Sequence, residues 1–289
     1  MTTPFAAWPE DVIEQAVRRN LVLIVGSGVS ASCELANGDR PPDWEALLRM
    51  LVEKLGLVDR RGEIEQLIDH SRLLDAAELI RQQARSLSKE QDFHRYLRVA
   101  VDGQAPDNFG GSRWHDAIVK LEPPVIVTTN YDKVLERATH NAYNMHDYKS
   151  VGVAGDIRRR EPTLLKIHGT VDSIEEIVMT RTDYTRLRLH GAQALMVLQA
   201  LLLTRTALLI GYRLRDPDIQ LLFENVLGGR NESPAHYILA PSDTPDYERD
   251  ILRYSFGVTA VTYTAGDHDD ALQLVEALAE EVQSSPLIA

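Results

Sequence analysis

Short apolar runs recur along the chain, separated by longer stretches in which apolar residues return every three or four positions. Leu21–Val25 (LVLIV) is the first run, and its β-branched and leucine side chains predict a buried strand. Pro124–Thr129 (PVIVTT), Thr163–Ile167 (TLLKI), Thr206–Ile210 (TALLI), Ala235–Leu239 and Val258–Tyr263 repeat the type. Between them the spacing is helical. Pro9–Arg19 sets Val12, Ile13, Ala16 and Val17 on one face, with Glu10 and Asp11 in the first turn. Glu34–Pro42 reads as a loop, and Asp43 caps a helix through Leu55 with Trp44, Leu47, Leu48 and Leu51 inward. From Gly56 to about Val119 no strand is predicted. Ile64–Ile68, Leu73–Ile80 and Phe93–Val99 keep helical spacing, so this block is read as a helical insertion at about 56–119.

Lys133–Thr139 reads as a helix, Ala142–Arg160 as a loop and Ile174–Met179 as a further strand or hairpin arm. Asp183–Leu189 and Ala192–Leu203 are helical, the second nearly all apolar and therefore buried. Asp216-Pro217 opens a helix with Ile219, Leu222, Phe223 and Val226 inward. Helices near Tyr247–Tyr254 and over Ala271–Val282 complete the alternation. Strands separated by helices imply right-handed crossovers. The expected fold is α/β: one Rossmann-like domain over 1–289, with a mostly parallel sheet, helices on both faces, a helical insertion and no zinc module.

Composition narrows the functional classes. Hydrophobic residues make up 44% and charged residues 26% of 289, ordinary values for a globular protein. The formal charge of −12 excludes a broad nucleic-acid-binding surface, since the densest cationic run, Arg158–Arg160, is flanked by Asp156 and Glu161. A lone cysteine, Cys33, excludes an intramolecular disulfide framework and a four-cysteine zinc site, and fits a reducing cytoplasm. The N-terminal MTTPFAAWPEDVIEQ lacks the apolar stretch of a secretory signal. The longest apolar run, Ala192–Leu203, contains Gln193 and Gln199 and falls short of membrane-spanning length. No membrane association is expected.

Candidate chemistry gathers at strand ends. Gly26, Gly28 and Ala31 fill a GxGxx(G/A) pattern after the first strand, where a missing Cβ lets a phosphate reach backbone amides. Asn130-Tyr131-Asp132, His168-Gly169 and Gly211-Tyr212 follow the next strands, and in an open parallel sheet these carboxyl ends line one crevice. Taken singly, Asn130 or Asp132 reads equally as a helix cap, and Asp216 and Asp218 read as a cap and a first-turn charge. Cys33 has no partner in sequence, and His115, His146 and His190 lack ligand spacing, so no metal is expected. No GxxxxGK(S/T) exists, which excludes a P-loop ATPase. A dehydrogenase would need an acid at the end of the next strand, whereas Glu45 and Glu53 fall in a helical pattern.

These segments together resemble the sirtuin superfamily, in its bacterial NAD-hydrolysing branch, from about Asn20 to about Val226. VGSGVS is similar to the family's phosphate loop, TTNYD to its T(Q/T)N(I/Y)D segment, KIHGTVD to its strand-ending HG, and LLIGYRLRDPDI to a later segment of the bacterial branch. The resemblance implies that Gly26, Ser27, Gly28 and Ser30 hold the pyrophosphate of NAD, with Thr129, Tyr131, Gly169, Gly211 and Tyr212 also binding it. It implies that Asn130 and Asp132 contact the nicotinamide ribose or a water at its anomeric carbon, and that His168 accepts a proton. Tyr212 or Asp216 would border the adenosine half. The expected activity is NAD+ glycohydrolysis to nicotinamide and ADP-ribose, with NAD as substrate. The implied setting is anti-phage defence by abortive infection. Restraint of such an enzyme implies a homo-oligomer, or a partner such as a hexameric DNA-translocase ATPase, a short Argonaute complex or a phage component. A single cysteine cannot build the zinc module of deacetylating sirtuins, which puts acyl-lysine binding in doubt. Two other readings share the motifs: an NAD- or ADP-ribose-binding regulatory module without turnover, and a zinc-free NAD-dependent protein deacylase.

Overall fold

Residues 8–228 and 235–285 are described by a computed structural model; part of the N-terminal stretch read for an export signal, residues 1–7, lies outside them. The chain opens with α1 (Glu10–Val17), β1 (Leu21–Val25) and the single turn α2 (Ser27–Ser30). Four helices follow, α3 (Trp44–Leu55), α4 (Arg61–Asp69), α5 (Leu73–Ser86) and α6 (Glu90–Asp102), then a minimal hairpin of β2 (Gly103–Gln104) and β3 (Asp107–Asn108), and α7 (Arg113–Leu121). Next come β4 (Val125–Thr128), α8 (Val134–Ala138), β5 (Asn144–Asp147), α9 (Val153–Arg159) and β6 (Thr163–Lys166). A 3-10 stretch over Val171–Glu176 leads to α10 (Arg181–His190) and α11 (Ala192–Thr204). The chain closes with β7 (Thr206–Ile210), α12 (Pro217–Gly228), β8 (His236–Pro241), α13 (Asp246–Phe256), β9 (Val258–Tyr263) and α14 (His268–Ser284).

The main sheet has seven strands in the order β5-β6-β4-β1-β7-β8-β9, and every neighbouring pair is parallel. β1 and β7 are buried at every position because both faces are covered, which is why they read as unbroken apolar runs. One face packs Leu21, Leu23 and Val25 against α1, α7 and α14. The other packs Val22 and Ile24 against α11 and α12 through Leu198, Leu202, Ile219 and Phe223. The helices α3–α6 form their own apolar layer, Leu48, Leu51, Ile64, Ile80, Phe93 and Leu97. α7 packs on α14 instead.

Three local expectations are corrected. Ala142–Arg160 contains a strand and a helix: β5 pairs with β6 through Asn144–Asp147. It is an edge strand whose residues stay half-buried or exposed, so no apolar run marked it. Ile174–Met179 is neither a strand nor a hairpin arm. Ile177 and Met179 face the helical layer while Val178 faces the sheet, giving a strand-like alternation in an extended segment outside the sheet. The block from Gly56 to Val119 does contain a ladder, the two-residue pairing of β2 with β3, too short to leave a hydrophobic period.

Candidate active site at the carboxyl edge of the sheet

From β1 the sheet grows first through β4, β6 and β5 on one side, then through β7, β8 and β9 on the other. The switch point therefore lies between β1 and β7, where open α/β sheets form their ligand crevice. The loops leaving these two strands touch. Gly26 N–H donates to Ile210 O at 2.9 Å and Gly28 N–H to Gly211 O at 3.0 Å. A Cβ on Gly26 would collide with the Gly211 carbonyl and with Tyr212, and Gly211 has φ +60° with Val29 N 2.6 Å from where its Cβ would sit. The glycines thus serve first to let two backbones meet, and the Gly28 amide is occupied in doing so. Ser27 and Gly28 lie exposed at the mouth.

Asn130 sits at the end of β4 and is tied to the glycine loop. Its Nδ2 donates to Gly26 O at 3.0 Å and to Ser30 Oγ at 2.9 Å. Its own amide N–H donates to Thr128 Oγ1 at 3.0 Å, and that hydroxyl donates to Val25 O at 2.8 Å. Both Nδ2 protons are engaged, leaving Oδ1 with no donor among the described residues. Ser30 Oγ donates in turn to Asp132 Oδ2 at 2.8 Å, and Asp132 Oδ1 accepts from Val134 N–H at 3.0 Å. Asp132, expected at the ribose, is 5% exposed and has both oxygens engaged, so it orients Ser30 and through it Asn130. Lys166, buried at the end of β6, donates to the Asp132 carbonyl and to Glu136 Oε1.

His168 follows β6 and is also buried. Its Nε2 lies 3.3 Å from Asp216 Oδ2, close enough for electrostatic contact but without hydrogen-bond alignment. The Tyr184 ring packs edge-on against the imidazole at 5.3 Å, and its hydroxyl donates to the same Asp216 oxygen. Asp216 Oδ1 caps α12, accepting from Asp218 N–H at 3.1 Å and Ile219 N–H at 2.9 Å. Asp216 therefore caps a helix, as its sequence position suggested, and also faces the histidine. Burial pushes the His168 pKa below its ordinary value, more strongly than the Asp216 and Asp218 carboxylates raise it. The imidazole is neutral at pH 7. Burial pushes Asp218 the other way, upward, even though Arg188 donates to its Oδ1 at 2.7 and 2.9 Å.

Tyr212 joins the two groups. Its ring lies against Gly26, and its buried hydroxyl has no hydrogen-bond partner among the described residues. Burial and the nearby Asp216 carboxylate hold that phenol protonated. Tyr131 turns elsewhere: its hydroxyl donates to Val178 O at 2.8 Å and its ring packs on the helical layer. Gly169 shapes the turn after His168 with φ +82°, its N–H bonding Lys166 O at 3.1 Å. Tyr184 and Arg188 were not singled out in the sequence, where they sit inside an ordinary helical pattern; the acids at 216 and 218 were the available signal. Among the described residues no group of three or more His, Cys, Asp or Glu could hold a metal. Cys33 is buried, with its thiol pushed up to about 12 by desolvation, and is unreactive.

Residues 124–260 match the SIR2-like domain family. The chain is 22% identical over 248 residues to the NAD(+) hydrolase ThsA of Acinetobacter baumannii, covering 83% of this chain and 46% of that protein. It is 20% identical over 234 residues to the protein of the same name from Bacillus cereus, covering 80% and 45%. Defense-associated sirtuin 2 of Bacillus subtilis is 24% identical over 251 residues, covering 85% and 23%. The chain thus spans less than half the length of these curated relatives. The domain match takes in β4, β6, β7 and their site-bearing loops, and the longer likenesses cover most of the remainder, so the chain is similar to SIR2-like proteins over most of its length.

Proposed function

We propose that the chain is an NAD+ glycohydrolase that cleaves the nicotinamide–ribose bond. The observation that carries this reading is the set of unsatisfied groups at the β1/β7 switch point. His168 Nε2, the Tyr212 hydroxyl and Asp218 Oδ2 are buried without hydrogen-bond partners among the described residues, and the half-buried Asn130 keeps Oδ1 free of a donor there; Asp218 sits in the first turn of α12, and the other three sit in loops leaving β4, β6 and β7. Buried polar atoms without partners are costly and call for a ligand that supplies them. A dinucleotide with ribose hydroxyls and an amide offers the complementary donors and acceptors.

In the reaction the C1′–N bond breaks with its electron pair leaving on nicotinamide, and a water oxygen bonds to C1′ and loses a proton. Asn130, fixed by Gly26 and Ser30, presents Oδ1 to a ribose hydroxyl or to that water. Neutral His168 accepts the proton, and the Asp216 carboxylate beside it stabilises the imidazolium that forms. Ser27 and Gly28, exposed at the mouth, border the diphosphate, and Tyr212 lines the crevice between the two halves of the site. Asp132 and Lys166 act as positioning residues.

Purified protein incubated with NAD should release nicotinamide. His168→Ala and Asn130→Ala should each lower kcat/KM by about 100-fold or more with unchanged circular dichroism. A His168→Ala protein that hydrolyses NAD at the native rate overturns the assignment. Saturable NAD binding with no nicotinamide release identifies a regulatory module, and release that depends on an acyl-lysine peptide identifies a deacylase. The names of the relatives support NAD hydrolysis and a role in defence; we propose that the defence is against phage and that the pool depleted is the cytoplasmic one. We also propose that the chain acts as an assembly. Val151, Leu189 and Met196 stand 80%, 72% and 63% exposed around α10 and α11, with Gln193 of α11 bonding the Val151 carbonyl. Light scattering tests self-assembly, and co-purification tests a DNA-translocase ATPase, an Argonaute complex or a phage component as partner.

A further inference from the structure

The opposite edge of the sheet carries a second site. A cavity of about 300 Å³ opens at the amino ends of β1, β4, β6 and β7, lined by Arg18, Arg19, Arg160 and Arg205 with Pro124 and Ile157 as apolar walls. Arg160 belongs to the densest cationic run in the sequence, which the proposed NAD chemistry leaves unused.

Arginines just after helix C-termini often bond the last carbonyls and offset the helix dipole, and these four follow α1, α9 and α11. Two of them are neutralised. Arg18 pairs with Glu14 at 2.6 Å, and Arg19 pairs with the Glu122 carboxylate at 3.0 Å. The side chains of Arg160 and Arg205 make no ion pair or hydrogen bond among the described residues, so neither acts as a cap. Arg205 Nη1 is buried and without a partner among the described residues, and the acid in the lining, Glu161, is already bonded by Arg159 and Asn144. Burial and the like charge of Arg160 both disfavour the Arg205 cation. The half-buried Arg205 and the exposed Arg160 line the same cleft, and a dianion between them would be bound bidentately by the guanidinium forks.

We propose that this cleft is a binding site for a phosphate monoester of nucleotide size, with Arg160 and Arg205 on the phosphate and Pro124 and Ile157 against the apolar face of the sugar or base. The volume lies at the lower end of small-molecule sites and suits a mononucleotide. The site is separated from the switch point by the length of the strands, ~15 Å for five residues, so it is distinct from the NAD crevice.

The test is thermal unfolding and calorimetric titration of the full chain with inorganic phosphate, AMP, adenosine, and sodium chloride at matched ionic strength. AMP should raise the melting temperature and bind saturably, phosphate should do so more weakly, and adenosine and chloride should not. Arg205→Gln and Arg160→Asn, the latter chosen because Arg160 has φ +62° and asparagine tolerates that conformation, should together weaken AMP by tenfold or more. Asn130→Ala, placed in the other crevice, should retain AMP binding. Arg205→Gln without ligand should melt at or above the native temperature, since a desolvated cation next to a like charge is removed. AMP binding that survives in the double variant, or a shift equalled by chloride, overturns the proposal.

Discussion

Lys166 shows how the candidate site is braced and can be tested quantitatively. Its ammonium is 1% exposed and donates to Glu136 Oε1 at 2.9 Å and to the Asp132 main-chain carbonyl. Lys166→Met keeps the apolar stem and removes the charge, leaving the Glu136 carboxylate, 6% exposed, without its cation. Breaking one side of such a buried pair costs about 3–5 kcal/mol. At about 2.1 cal/mol/K per residue, unfolding 289 residues carries an entropy of ~0.6 kcal/mol/K, so the midpoint should fall by roughly 5–8 °C. Glu136→Leu in the same background removes the orphaned charge and should restore stability to within about 1 kcal/mol of the native chain. Urea and thermal unfolding of the four proteins closes the cycle. Turnover should stay low in the double variant, because the Asp132 carbonyl still lacks its donor and Asn130 is held less firmly. A Lys166→Met protein as stable as the native one, or a double variant no better than the single, refutes the reasoning.

Gly26→Ala should lose about 1–3 kcal/mol or more by overpacking against Gly211 and Tyr212, and should abolish nicotinamide release; native stability in urea would show that the loop contact can relax. Asp216→Asn keeps the α12 cap but removes the charge that raises the His168 pKa, so the acid limb of the kcat/KM profile should move to lower pH; an unmoved limb removes Asp216 from the mechanism. His236 accepts from Ala207 N–H at 3.1 Å, and burial lowers its pKa to about 4. Its folded pKa lies below the unfolded value, so stability is full above pH ~6.5 and falls as pH drops toward 4, by on the order of 3 kcal/mol. His94, His115 and His168, all lowered by burial, act in the same direction. His236→Asn preserves an acceptor and should flatten part of this acid loss in urea titrations; an unchanged slope between pH 7 and 5 refutes the assignment.

How much was legible in the sequence depended on burial. Interior strands such as β1 and β7 announce themselves because both faces are covered, whereas β5 carries the polar NMHD at the sheet edge and shows no period. The site was legible at the level of which strand ends meet: the Gly26, Asn130 and Gly211 loops converge directly, and His168 joins them through Tyr184, Asp216 and Tyr212. Which way each side chain turns was not legible. Asp132 and Asn130 are two residues apart, yet one faces inward to Ser30 and a helix amide while the other keeps a free oxygen. Tyr184 meets His168 only because α10 folds back across the end of β6, a tertiary contact with no local signature.

The two edges of the sheet differ in a way that composition alone conceals. In the crevice at the carboxyl edge the groups without partners among the described residues are neutral or acidic: Asn130 Oδ1, the His168 imidazole, the Tyr212 phenol and Asp218. In the arginine cleft at the amino edge the groups without partners are guanidinium groups, in a chain whose formal charge is −12. Parallel strands impose this separation, because every loop that follows a strand opens on one side and every helix C-terminus that precedes one opens on the other. A phosphate drawn to the cationic edge would meet the same seven-stranded sheet whose far ends hold Asn130 and His168. β1, β4 and β7 run from one edge to the other and are buried at every described position, so displacing Asn20, Val125 or Arg205 at one end can shift the loops at the other only by moving whole strands. Occupancy of the arginine cleft should therefore change NAD turnover through rigid-body strand displacement or not at all. Comparing kcat with and without saturating AMP in native protein and in the Arg160→Asn/Arg205→Gln variant distinguishes these outcomes, since an effect that persists in the variant arises from competition at the crevice.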